Sequence, residues 1–189
     1  MGNARNLADN LPLEGHLAGR NVIINGAMNF SQRQASSSNV GNQYVLDRFA
    51  VYKQNTGSTY TCSQNSVTDL AGFSNSLKMD CTTADASLSS SDFITHRQII
   101  EGQNLQYLKK GTASAESTTC SFWVKSNKTG TYIAELHDVD NARTISKSYT
   151  IDAADTWEKK TVTFVGYTTG AFDNDSAGSL YLNFWLAAG

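Results

Sequence analysis

This chain of 189 residues predicts an antiparallel β-sandwich, and three observations lead there. From residue 21 onward apolar and polar residues alternate with a period of two, the spacing that sends successive strand side chains to opposite faces. Charged residues make up only 17%, and Ser, Thr, Asn and Gly take their place, a bias toward pleated strands and tight turns. The single proline, Pro12, lies outside the alternating region, so no proline interrupts a sheet ladder there. A chain of this length supports one core without metal or disulfide staples.

Residues 1–20 carry leucines without a sustained period and read as an extended N-terminal arm, with an unstructured terminus as the alternative. Fully stretched, such an arm reaches roughly 70 Å. Residues 21–189 form the sandwich domain. Val22–Asn25, Val45–Lys53, Ser58–Gln64 and Ser76–Cys81 read as its first strands. Phe93–Leu108 alternates poorly, and Gly102 interrupts any helix there, so Thr95–Gly102 reads as a strand running into a loop or one helical turn over the sandwich edge. Ser117–Ser126 is the clearest strand: Thr118, Cys120, Phe122 and Val124 point one way, Thr119, Ser121, Trp123 and Lys125 the other. Gly130–Val139, Thr144–Ile151, Trp157–Val165 and Ser179–Ala187 follow, making nine strands with turn signals between them. Asn127–Gly130 and Asp138–Arg143 have the composition of hairpin connectors.

A net charge of −2 and an isoelectric point near 5.9 offer a polyanion no attraction, so nucleic acid is not an expected partner. No apolar run approaches the ~20 residues that span a bilayer, and no basic segment followed by an apolar run opens the chain. Membrane insertion is not expected, and synthesis in the cytoplasm of the producing cell is. Cys62, Cys81 and Cys120 lack metal-ligand spacing and read as small buried apolar residues, with a Cys62–Cys81 bridge open in oxidising surroundings. The groups Asp138/Asp140/Asn141 and Asp173/Asn174/Asp175 are oxygen-rich but fall short of a calcium shell, and turn formation accounts for them. No cofactor is expected. His16, His96 and His137 lie in unrelated segments without a nucleophile motif, so the chain is expected not to be an enzyme, although two acids of a glycosidase could still converge from distant strands.

The string Asn25-Gly26-Ala27-Met28-Asn29-Phe30-Ser31-Gln32-Arg33, with Tyr44-Val45-Leu46-Asp47-Arg48-Phe49 after it, resembles the opening of a jelly-roll domain on virion appendages of tailed bacteriophages. Gln98–Leu105, Ser121–Ser126, Thr156–Phe164 and Leu180–Leu186 continue that resemblance in order, from about Asn21 to the end. The resemblance is to the tail-fibre, carbohydrate-binding-module-like domains common in marine and cyanobacterial phages. It implies a jelly-roll topology, a place on the virion, and frequently a trimeric fibre. Such domains usually continue past the last strand, so the expectation here is either closure with fewer strands or a strand edge completed by a partner.

In the final strand Leu180, Leu182, Phe184 and Leu186 are expected to face the core, leaving Tyr181, Asn183 and Trp185 outward. With Trp123 they form a candidate carbohydrate-binding platform, rings stacking on sugar faces and the amide taking hydroxyls. Contact with another protein subunit and cover by a loop are the competing accounts. Trp157 reads as a sandwich anchor. The expected function is that of a phage structural protein, a tail fibre or appendage component. It attaches to other virion proteins through the arm, assembles as a homo-oligomer and contacts host glycans. A capsid decoration protein is the alternative, and a polysaccharide-degrading enzyme the third.

Overall fold

A strand with one apolar side needs a second layer to cover it, and this chain builds both layers from antiparallel strands. The computed structural model describes residues 21–33, 36–38 and 40–189; the arm expected over 1–20 lies outside the described residues. In chain order the strands are β1 (Ser36–Ser37), β2 (Gln43–Leu46), β3 (Phe49–Gln54), β4 (Thr59–Ser66), β5 (Asn75–Thr83) and β6 (Phe93–Glu101), then β7 (Thr118–Val124), β8 (Gly130–Asp138), β9 (Arg143–Ile151), β10 (Glu158–Phe164) and β11 (Gly178–Ala188). One layer is a six-stranded sheet in the order β2-β3-β6-β11-β8-β9. The other consists of the three-stranded β1-β4-β5 and the two-stranded β10-β7.

The interior lies between the layers. Val51, Ile94 and Phe49 of the large sheet meet Cys62, Leu77 and Met79 of the three-stranded sheet. Ala134, Tyr149 and Ile151 meet Val162, Phe164, Cys120 and Phe122 of the two-stranded sheet. Burying a side chain such as Phe164, which is 1% exposed, contributes about 1.5–3 kcal/mol. The all-β sandwich expected from alternation is the observed fold, and seven of the expected segments, Ser117–Ser126 among them, recur as β4, β5 and β7–β11 with ends displaced by at most two residues.

The departures have local causes. Val22–Asn25 is not a strand; it runs into a turn in which Asn25 and Met28 both take positive φ, at 59° and 57°, and Met28 N–H donates to Asn25 O at 2.9 Å. Val45–Lys53 is two strands, because Arg48 at φ 73° folds β2 back on β3. Phe93–Glu101 is a strand that runs into helical turns, as expected for Thr95–Gly102, but it starts two residues earlier, lies near the middle of the large sheet, and is followed by two 3-10 turns. Gly102 begins those turns because a Cβ there would sit 1.9 Å from the Asp173 carbonyl oxygen. Asn127–Gly130 is no hairpin: β7 pairs with β10 and β8 with β11 and β9, so this link crosses between layers. Asp138–Arg143 does join a hairpin, β8 to β9. The last strand presents no open edge, since β11 is paired on one side by β6 and on the other by β8.

Residues of the strings that carry the phage resemblance act as locks at one end of the sandwich. Asn25 Nδ2 donates to Phe30 O and Asp47 O, both at 2.9 Å. Gln98, 1% exposed, accepts from Ile24 N–H at 2.9 Å and donates to Ile24 O at 2.8 Å, standing in for a strand neighbour. Arg48 donates both terminal nitrogens to Glu101, at 2.7 and 2.8 Å, and reaches Ile99 O at 3.0 Å. All three cysteines are free thiols; burial pushes Cys62 up to about 12 and Cys120 up to about 11, while Cys81 is exposed, contrary to the buried role expected for it.

His96 faces the interior, its ring centroid 4.8 Å from Phe184 edge-on and 6.1 Å from Phe49. Its Nδ1 is sealed from solvent without a partner, and burial pulls the imidazole from 6.5 down to about 4. The fold therefore holds the neutral ring, while the unfolded chain takes up the proton first as pH falls. Stability present above pH 6.5 is lost on descent to about 4, by about 3 kcal/mol for the buried ring. In urea unfolding across that window, His96→Phe should flatten the decline; an equal decline in both proteins would refute the assignment.

Candidate functional site

Because directly paired residues share a face, the register of the large sheet sets one rung of outward side chains across all six strands. It runs Tyr44, Ala50, Arg97, Asn183, Glu135 and Ser146. The rung on one side holds Tyr52, Thr95, Trp185 and Ile133, and the rung on the other holds Ile99, Tyr181, His137 and Thr144. Rungs are about 6.8 Å apart and strands about 4.8 Å, so each outward side chain occupies one position of a grid.

The grid is unevenly satisfied. Asn183, 4% exposed, donates Nδ2 to Glu135 Oε1 at 2.8 Å, and Ser146 Oγ reaches Glu135 Oε2 at 3.4 Å. His137 Nδ1 pairs with Thr144 Oγ1 at 3.0 Å. By contrast Asn183 Oδ1, Trp185 Nε1 and Arg97 Nε are enclosed and have no hydrogen-bond partner. The Arg97 guanidinium lies 4.1 Å from the Tyr52 ring centroid and 5.3 Å from that of Tyr181. Burial draws the Arg97 pKa below its ordinary value, with Tyr181 and Tyr52 acting in the opposite sense. Phe93 lies tilted against Trp185 at 5.2 Å and against Tyr52 at 5.6 Å. Beside Arg97, where Ala50 leaves the sheet low, opens a depression of about 170 Å³ that Tyr44 and Tyr52 border.

Of the four residues expected to form a platform, the structure brings together three. Tyr181, Asn183 and Trp185 share the outward face, as the alternation of β11 requires. Trp123 does not join them: it is paired with Lys159 on the outer side of the two-stranded sheet, across the sandwich, and is 39% exposed. Asn183 lies beneath the rings rather than among them. Arg97, Tyr52 and Glu135 belong to the same grid and were missed, although Phe93, Thr95, Arg97 and Ile99 alternate in the sequence and signal a shared face.

Trp157 ties the second layer together: its Nε1 donates to Asp69 Oδ1 at 2.9 Å, and Lys125 Nζ reaches Asp69 Oδ2 at 2.7 Å. These two bonds, the lysine first, hold the Asp69 carboxyl below its usual range. The two acidic loops meet each other, Asp173 N–H donating to Asp140 Oδ2 at 2.9 Å, while Asp138 Oδ1 takes Asn141 N–H at 3.2 Å and closes its own turn. Among the described residues no group of three or more His, Cys, Asp or Glu is placed to hold a metal ion, and no helix is long and apolar enough to cross a membrane.

No family model matches the chain, and no curated protein matches it. A solved structure, the enzymatically active domain of tailspike protein 4 from bacteriophage CBA120, is similar at a TM-score of 0.47 and 16% identity. The likeness covers 89% of this chain and 19% of that one. That neighbour is a bacteriophage tail protein described as enzymatically active, which overturns the expectation of a chain that is not an enzyme. The non-catalytic reading is withdrawn; the activity is stated of that protein.

Replacing Asn183 by Ala leaves the enclosed Glu135 Oε1 without its donor. Unfolding free energy should fall by about 1–3 kcal/mol in urea titration; a loss under about 0.5 kcal/mol, the range of surface changes, would show that the amide is idle.

Proposed function

We propose that this protein is a virion appendage component of a tailed bacteriophage whose six-stranded outward face contacts glycans on the host surface. The observation that carries the glycan reading is a grid holding three rings, Tyr52, Tyr181 and Trp185, around the half-buried Arg97 and the depression beside it. Rings offer flat apolar faces to a pyranose, and the terminal guanidinium nitrogens can donate to its oxygens, the combination that binding sites use for orientation. Support for the phage setting comes from the sequence strings beginning at Asn25, Tyr44, Gln98, Ser121, Thr156 and Leu180. Attachment through residues 1–20 and assembly as a homo-oligomer belong to the same proposal.

A second reading has its own observation. Trp123 and Val165, 39% and 62% exposed, give the two-stranded side of the sandwich apolar contacts suited to a neighbouring protein, as a capsid decoration protein needs.

The two faces make the readings separable. On a glycan array, Tyr181→Ala and Trp185→Ala should each weaken binding by about tenfold or more, as loss of a stacking ring does. Trp123→Ala should leave it unchanged. Loss of binding with Trp123→Ala but not with the other two would overturn the site, and loss of particle incorporation with Trp123→Ala alone would favour the decoration reading.

A further inference from the structure

We infer that Arg97 is the receptor for a sugar carboxylate, so that the glycan recognised by the outward face is an acidic one carrying uronic-type residues. The inference rests on the glycan reading above and specifies its substrate class. Among the described residues no carboxylate lies within ion-pair distance of Arg97, and the acids on this face are engaged elsewhere. Both Glu101 oxygens are held by Arg48, and the Glu135 oxygens by Asn183 and Ser146. The guanidinium itself has a single weak contact, Nη2 to Thr95 Oγ1 at 3.5 Å, and its Nε has none.

Its setting fits a planar anion. Tyr52 and Tyr181 occupy positions over the guanidinium, a contact that uses a face of the cation and orients the plane while leaving donors on its rim. A guanidinium partly withdrawn from water, with Glu135 acting on it only at a distance and no acid in direct contact, is costly to keep, and an incoming carboxylate offsets that cost with two parallel charge-assisted bonds. Space for the carboxylate is present in the depression beside Arg97, where the small Ala50 side chain leaves room. The net charge of −2 provides no general pull on anions, so the attraction is local to this one group.

The test uses the full chain against immobilised oligomers of galacturonate, mannuronate and glucuronate, each beside its carboxyl-reduced partner, with a sulfated neutral oligomer as a further arm. Acidic oligomers should bind, and Arg97→Gln should weaken them by about 10- to 100-fold, the worth of hydrogen bonds to a charged group. The same variant should leave any binding of the reduced partners within about threefold, inside the scatter of uncoupled sites. Arg97→Lys, which keeps the charge and loses the fork, should fall between and serves if the glutamine variant does not fold. Reduced partners bound as tightly as the acids, or the sulfated oligomer preferred over the carboxylated ones, would overturn the carboxylate assignment and leave the glycan reading standing. Binding of none of these oligomers, with none on the wider glycan array, removes both.

Discussion

Double-sided pairing of β11 is the constraint on which the rest of the structure depends. With β6 on one side and β8 on the other, its backbone donors and acceptors are committed to the ladders, and only its side chains remain to be distributed. A shift of one residue would send Leu180, Leu182 and Phe184 to water and Tyr181 and Trp185 into the interior. That exchange is prevented from outside the strand. Gln98 ties β6 to Ile24, and Arg48 ties the β2–β3 turn to Glu101, so the register partner of β11 is itself held by bonds that do not involve β11. Bulges at Gly178/Leu180 and Trp185/Ala187 confine the irregularity to the ends of the strand, leaving the central grid in strict register.

The same register makes the outward face expensive. Enclosed atoms such as Asn183 Oδ1 and Arg97 Nε each forgo hydrogen bonds worth about 1–3 kcal/mol, and a sheet built only for stability would carry Thr or Val there. The interior is mainly apolar, filled by Val51, Ile94, Leu182, Phe164 and their neighbours, but it also admits Gln98, the His96 ring and an ion pair between Asp138 and Lys110. Where a polar network has only to hold loops together, as at Asp69, Trp157 and Lys125, both carboxylate oxygens find donors.

Alternation in the sequence made the sandwich and most strand positions legible, because period two is a direct consequence of strand geometry and needs no knowledge of partners. Two kinds of information were out of its reach. The Val45–Lys53 segment hid a turn, since Arg48 at φ 73° is a residue type that rarely takes that conformation and carries no turn signal. Trp123 was correctly turned away from the core of its own strand, yet alternation cannot say to which layer that strand belongs, and the layer decides whether it can meet Tyr181. Arg97 and Tyr52 escaped for a related reason. In Thr95-His96-Arg97-Gln98 polar residues occupy both faces, so the segment lost its contrast; the inward pair is polar because Gln98 must bond Ile24 and His96 fills an aromatic corner.

This division bears on what a shared motif can report. Asn25, Asp47, Arg48, Gln98 and Glu101 lie in the strings that resemble phage appendage domains, and each acts in a lock that sets turns or register. Tyr52 and Arg97 lie outside those strings, and Tyr181 and Trp185 within the last of them. In this chain the locks therefore fix the register on which the grid stands. What stands at each position can change without disturbing the locks: neighbours such as Arg97 and Gln98 point to opposite sides of the sheet, and substitutions at sites without shared partners act independently. Resemblance in these strings is thus a statement about how the outward face is held, while Ala50, Tyr52 and Arg97 stand outside them.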